Sequence, residues 1–273
     1  MRFTTSAFIT SAIGAVQVAS APSGEAFRRA SPTVYFCGDS TMAENGGGDG
    51  DTDGWGSYVG EFLTATTVNK AIGGRSARSY WDEGRFQEVA DLVISGDIVV
   101  IEFGHNDGGS PESSDNGRSD CPGDGTETCI SDDTGETVYT FVYYVVQAAN
   151  LMLAKGATVI LSSQTPNNQW ETGVYGGSAP RFVGYQKTAA DSLGDSVTFV
   201  DHFQAVSNMY LEVGSDAVNA LYPNDHTHTS PEGASLAAQA FVQAIDESMN
   251  GTTSLFDYVS DPVTTVYSSS LAC

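Results

Sequence analysis

Apolar positions along the chain follow two alternating periods. Residues 34–37 (V-Y-F-C) form a short apolar run stopped by Gly38, and 66–69 is a brief strand candidate. Residues 97–103 (D-I-V-V-I-E-F) are β-branched and nearly uninterrupted, the pattern of a strand buried on both faces. Residues 157–162, entered through Gly156, and 197–200 repeat that pattern. Between them the spacing is helical: Trp55, Tyr58, Val59, Phe62; then Phe86, Val89, Ala90, Val93; then the span 138–154; then Phe182, Tyr185, Ala189, Leu193. A last helix opens at Pro231 with Ser230 as its N-cap and carries Ala234, Ala237, Phe241 and Ile245 on one face. Residues 105–137 and 164–180 are polar and Gly-rich and read as long loops. Strands alternating with helices predict a parallel sheet covered on both faces, a three-layer α/β/α sandwich in one domain over residues 32–273. Ligands of such sheets sit at the carboxyl ends of the strands, so chemistry is expected in the segments that follow them.

Composition narrows the class of protein. Apolar residues make up 40% and charged residues 16% of the 273, which fits a globular chain and excludes a disordered one or a coiled coil. The 11 Lys+Arg stand against 34 Asp+Glu, a formal charge of −23. No basic stripe exists to neutralise phosphates, so no nucleic-acid partner is expected, and an anionic membrane surface is disfavoured. Residues 1–21 read as a signal peptide: Arg2, an apolar stretch over 8–18, and Ala19-Ser20-Ala21 before Pro22 as a cleavage site. Residues 22–31 follow as a spacer or short pro-segment. No segment reaches membrane-spanning length, so the expected mature protein is soluble and secreted. Four cysteines suit an oxidising compartment. A bridge between Cys121 and Cys129 would staple the first long loop. Cys37 reads as a buried thiol, and Cys273 is either free or paired with Cys37 if the tail folds back. Asn250-Gly251-Thr252 is a glycosylation sequon.

Four segments carry candidate chemistry. In Gly38-Asp39-Ser40-Thr41, a serine just past a buried strand is placed as a nucleophile with its own N–H facing the site; the same residues also make an ordinary turn. In Gly104-His105-Asn106-Asp107, Asn106 offers a neutral donor for a developing oxyanion, and Asp107 braces the loop. Gly74, after the second strand, lets a backbone N–H approach closely, which completes a hole of Ser40, Gly74 and Asn106. In Asp225-His226-Thr227-His228, the D-x-x-H spacing supplies a base, His228, and its orienting carboxylate, Asp225. His226 is left to brace the loop or touch substrate. Two His near an Asp are also metal-ligand types, but a third clustered ligand is missing, so no metal is expected.

These blocks, in this order, resemble those of the GDSL or SGNH hydrolases over the whole mature chain. The stretches V-Y-F-C-G-D-S-T-M-A, D-G-W-G, G-R-S-A-R-S-Y, I-E-F-G-H-N-D-G-G, S-S-Q-T-P-N-N and D-H-T-H-T-S-P resemble one branch, the rhamnogalacturonan acetylesterases of carbohydrate esterase family 12. The resemblance implies a five-stranded parallel sheet, Ser40 as nucleophile, His228 as base, Asp225 as its partner, the Cys121–Cys129 bridge, and no cofactor. It leaves Cys273 without the partner that those enzymes carry near the C-terminus. It implies an esterase removing acetyl groups from a pectic polysaccharide, and a monomer is expected. Arg75 and Arg78 then stand where a sugar carboxylate would be met, unless they pair with the chain's own acids. Trp170 and Tyr175 stand ready to stack on sugar rings or to pin their own loop. The alternatives are an esterase or lipase of the same superfamily acting on small or lipid esters, an acetyl esterase acting on xylan, and a binding protein without catalysis.

Overall fold

The structure is a computed structural model that describes Met1, residues 31–249 and residues 253–260. The chain divides into Met1–Ala30 and Ser31–Cys273, and the description below concerns the second unit. The expected signal peptide, Asn250 and Cys273 lie outside the described residues.

Strands β1 (Thr33–Gly38), β2 (Thr66–Asn69) and β3 (Ile98–Glu102) are followed by a two-stranded hairpin, β4 (Thr128–Ile130) and β5 (Thr137–Tyr139), and by β6 (Thr158–Ser162) and β7 (Val197–Val200). Five of them pair in parallel in the order β2-β1-β3-β6-β7. The chain direction of winding reverses between β1 and β3, which opens a crevice at their carboxyl ends. The helices are α1 (Ala77–Asp82), α2 (Arg85–Leu92), α3 (Pro111–Ser114), α4 (Phe141–Leu153), α5 (Arg181–Leu193), α6 (His202–Val213), α7 (Ser215–Ala220) and α8 (Pro231–Met249).

The period-two alternation of each strand sorts its side chains into two cores. Val34, Phe36, Ile98 and Val100 face Trp55, Val206, Met209 and Phe241, under α6 and α8. Tyr35, Cys37, Val99 and Ile101 face Phe86, Phe141, Val145 and Ala189, under α1, α2, α4 and α5. The sandwich and the five parallel strands are as expected.

Several elements differ from the sequence expectation. The helical span 138–154 begins only at Phe141, because Thr140 caps it by accepting from the Tyr143 N–H, while residues 137–139 pair into the hairpin. The apolar spacing of 55–62 resolves into two 3-10 turns rather than one helix. Close packing explains the tight turns: a Cβ on Gly54 would lie 2.3 Å from the Met42 carbonyl carbon. Four helices were not expected: α1, α3, α6 and α7. Of these, α6 was legible, since Phe203, Val206, Met209 and Tyr210 are its buried residues at helical spacing, with Asp201 as cap. Ser230 caps α8 as expected, its Oγ accepting from the Gly233 N–H at 3.3 Å.

Candidate active site

The segment after β1 leaves the sheet in a tight turn. Asp39, buried, accepts from the Thr41 N–H and hydroxyl at 2.9 Å each, and its carbonyl accepts from the Ala43 N–H. These bonds fix Ser40 at the start of a helical turn. Its N–H has no acceptor among the described residues and its side chain faces the loop before α8. There His228 Nε2 lies 2.8 Å from Ser40 Oγ, and His228 Nδ1 lies 2.7 Å from Asp225 Oδ2. The other Asp225 oxygen accepts from the backbone N–H groups of Thr227 and His228, at 2.7 and 2.8 Å. Burial pushes the Asp225 carboxyl up, but these hydrogen bonds and the His228 ring outweigh it and hold it below the usual carboxylate value. Asp225 therefore stays ionised and fixes His228 with Nε2 toward the serine. Ser40 is 5% exposed and the His228 side chain 21%, which leaves the pair partly shielded yet reachable.

The pairing of β2 with β1 continues past the strand, with the Ile72 N–H donating to the Gly38 carbonyl at 3.0 Å. This brings the next turn against the serine: a Cβ on Gly73 would lie 3.7 Å from Ser40 Cβ. The turn closes with the Arg75 N–H on the Ile72 carbonyl, and Gly74 at its third position has φ +75°, which a type II turn requires and glycine adopts freely. The Gly74 N–H has no acceptor among the described residues. Asn106, after β3, donates one amide hydrogen to the Arg75 carbonyl at 3.0 Å and keeps a second to offer. Arg118 Nη1 donates to its Oδ1 at 3.4 Å, which fixes the amide's orientation. A serine, an oriented histidine and three donors at one sheet edge are a constellation for acyl transfer.

Residues 34–241 match the family model described as GDSL-like lipase/acylhydrolase. The chain belongs to that family. It is 53% identical over 78% of its length to a rhamnogalacturonan acetylesterase of Emericella nidulans, covering 84% of that protein. A probable rhamnogalacturonan acetylesterase of Bacillus subtilis is 26% identical over 78% of this chain and 92% of its own. Among solved structures, an acetylxylan esterase of Geobacillus stearothermophilus superposes with a TM-score of 0.54 at 18% identity, covering 78% of this chain and 94% of that one. That last likeness bears on the fold. Family membership and the first relative make this GDSL-family protein a carboxylic ester hydrolase.

Behind the Asn106 loop of this hydrolase lies a buried acid pair. Asp107 Oδ1 accepts from the Ala77 N–H at 2.7 Å, at the N-terminus of α1, so Asp107 braces the loop as expected. Its Oδ2 and both carboxyl oxygens of Asp120 are buried with no hydrogen-bond partner among the described residues. A carboxyl buried without a donor favours its protonated form. Burial first pushes both up, aided by the charge of Asp39 at Asp107, which rises to about 8, and by the charge of Asp107 at Asp120.

The residues expected at substrate divide. Arg78 is buried and fully engaged: Nη1 and Nη2 clamp Asp115 at 2.8 and 2.9 Å, Nη1 also donates to the Ser119 carbonyl, and Nε lies 3.4 Å from Asp82. It ties α1 to the long loop and is out of reach of substrate, which corrects the expectation for it. Arg75 pairs with Glu83 at 3.1 Å and donates to the Gly73 carbonyl, so it too meets the chain's own acids. Trp170 turns its indole inward, donating to the Tyr210 carbonyl at 2.9 Å, with Tyr175 5.2 Å away. It pins its own loop to α6. His226, exposed, lies 3.6 Å from Glu171. Cys121 and Cys129 form a disulfide and Cys37 is a buried free thiol. The residue overlooked is Arg118. Its signal lay in the N-G-R of a loop with no regular pattern, and nothing in the sequence joins it to Asn106.

Among the described residues, no helix is long and apolar enough to cross a membrane, and no group of three or more His, Cys, Asp or Glu gathers to hold a metal.

Proposed function

We propose that this chain is a secreted serine esterase that removes acetyl groups from rhamnogalacturonan. The observation that carries the chemistry is the unbroken hydrogen-bonded line Ser40–His228–Asp225. The observation that carries the substrate is the 53% identity to the Emericella nidulans enzyme. His228 Nε2 takes the Ser40 proton as Oγ attacks the acetyl carbonyl. The charge that develops on the carbonyl oxygen is met by the Ser40 and Gly74 N–H groups and the Asn106 amide. His228 then returns its proton to the leaving sugar oxygen. Water, activated by the same ring, cleaves the acetyl-enzyme and releases acetate. Asp225 keeps the ring in the tautomer that presents a bare Nε2. The signal-peptide pattern of residues 1–21 and the Cys121–Cys129 bridge support secretion.

The test is acetate release from acetylated rhamnogalacturonan, acetylated xylan and a small neutral acetate ester. Rhamnogalacturonan is expected to be the best polymer, and Ser40→Ala is expected to lose roughly four or more orders of magnitude in kcat/KM on every substrate while remaining folded. Faster release from xylan overturns the polymer; near-native turnover in Ser40→Ala overturns the mechanism.

A further inference from the structure

We propose that Arg118 is a carboxylate-binding residue of the substrate cleft, taking a uronate of the polymer beside the acetylated sugar. The proposal rests on the polymer reading above and names a residue that reads its charge.

The first support is pairing. Acids outnumber Lys+Arg 34 to 11 in this chain, and most of the described cations are taken up accordingly. Arg75 holds Glu83, Arg78 holds Asp115, Arg85 holds Glu88, Lys155 holds Asp91 and Lys187 holds Asp191, whereas Lys70, Arg118 and Arg181 make no ion pair among the described residues, Arg181 lying over the Phe182 ring. Arg118 sits in a loop that also carries Asp115, Asp120 and Asp124, yet it makes no ion pair among the described residues. Asp115 is committed to Arg78, and the Asp120 carboxyl is buried.

The second support is position. The Arg118 contacts are Nη1 to Asn106 Oδ1 at 3.4 Å and Nη1 to the Gly74 carbonyl at 3.5 Å. Both partners belong to residues that offer donors to the acyl oxygen. The guanidinium therefore lies at the rim of the reacting centre, half-buried, with Nε and Nη2 free of protein acceptors among the described residues. A guanidinium with two adjacent free nitrogens matches a carboxylate in a two-point contact.

The third support is rigidity. Asn116 Oδ1 accepts from the N–H of Arg118 at 2.9 Å and of Ser119 at 3.1 Å. The Ser119 hydroxyl reaches the Gly108 carbonyl, its own carbonyl accepts from Arg78, and the Asp120 N–H donates to the Asp107 carbonyl. The disulfide follows at Cys121. The backbone is thus fastened on both sides of Arg118 while its charged end is left unpaired. That is a cation organised in advance for an anion, in a protein whose net charge repels one.

The experiment compares the wild-type enzyme with Arg118→Gln and Arg118→Lys on three substrates: acetylated rhamnogalacturonan, the same polymer with its carboxyls reduced to alcohols, and 4-nitrophenyl acetate. For Arg118→Gln, KM on the charged polymer is expected to rise about tenfold or more beyond any change on the neutral ester. Arg118→Lys should recover part of it, since the charge remains and the fork does not. On the carboxyl-reduced polymer the excess should vanish. Equal losses on charged and neutral substrates would reduce Arg118 to a brace for Asn106 and overturn the proposal. A wild-type enzyme that cleaves the neutral ester and ignores both polymers would overturn the polymer reading, and this subsite with it.

Discussion

Asp107 and Asp120 place two carboxyls where water does not reach, one residue from Asn106 and two residues from Arg118. Burial raises both carboxyls and so ties the fold to pH. Between the ordinary carboxylate value of 3.8 and about 8 the folded chain keeps a proton that the unfolded chain has released. Folding then takes up a proton, so stability is complete in acid and is lost as pH rises through about 8. The melting temperature is expected to fall as pH is raised from about 5 to about 9, and Asp120→Asn, which replaces one of the two raised carboxyls by a group that does not titrate, should flatten that slope. Thermal unfolding followed across pH checks it; superimposable slopes for the two proteins would show that the pair is not the cause. A second buried group behaves differently. Glu102 accepts from Trp55 Nε1 at 2.9 Å and faces His202 Nδ1 at 2.9 Å, while His202 Nε2 faces the Ala237 carbonyl. Every polar atom there has a partner, so it locks β3 to α6 and α8 as a satisfied network.

Among the elements, the loop between β3 and α4 carries the most function with the least regular structure. Its order comes from single contacts: Arg78 to Asp115, the Asp120 N–H to the Asp107 carbonyl, the Cys121 N–H to the Tyr139 carbonyl, and the disulfide to β4. The disulfide closes a loop of sequence separation 8. Chain entropy then assigns it about 2–3 kcal/mol. Cys121→Ser with Cys129→Ser is expected to lower the urea-unfolding free energy by that amount. An unchanged value would mean that the β4–β5 pairing alone holds the hairpin. Residue patterns could not show this loop's fold, because a three-residue strand pair and a four-residue helix carry too few positions for a period to appear. Three of the sheet strands were legible for the opposite reason: β1, β3 and β6 are buried almost end to end, and continuous burial writes continuous apolar runs.

For the whole molecule, a formal charge of −23 sets how it meets a polyuronate. Long-range repulsion opposes encounter and is screened over about 10 Å at 0.1 M salt. KM for acetylated rhamnogalacturonan is therefore expected to fall as salt is raised from about 0.02 to about 0.2 M, while KM for a neutral acetate ester stays flat. A rise for the polymer would mean that local attraction outweighs the field of the whole chain. Charge of this kind is a property of composition, and the sequence by itself determined it. The sequence also determined the α/β order, because burial on both faces of a parallel sheet demands apolar runs, and it marked Ser40 and Asn106 as polar residues just past strands and Asp225 and His228 by their D-x-x-H spacing before the last helix. Which cations were free was decided only by the tertiary structure. Arg75 and Arg78 stand beside Gly74 in sequence, yet folding hands them to Glu83 and Asp115, whereas Arg118, remote in sequence, arrives at Asn106 unpaired. Ion pairing depends on distances of a few ångström between side chains from different segments, and only packing sets those distances.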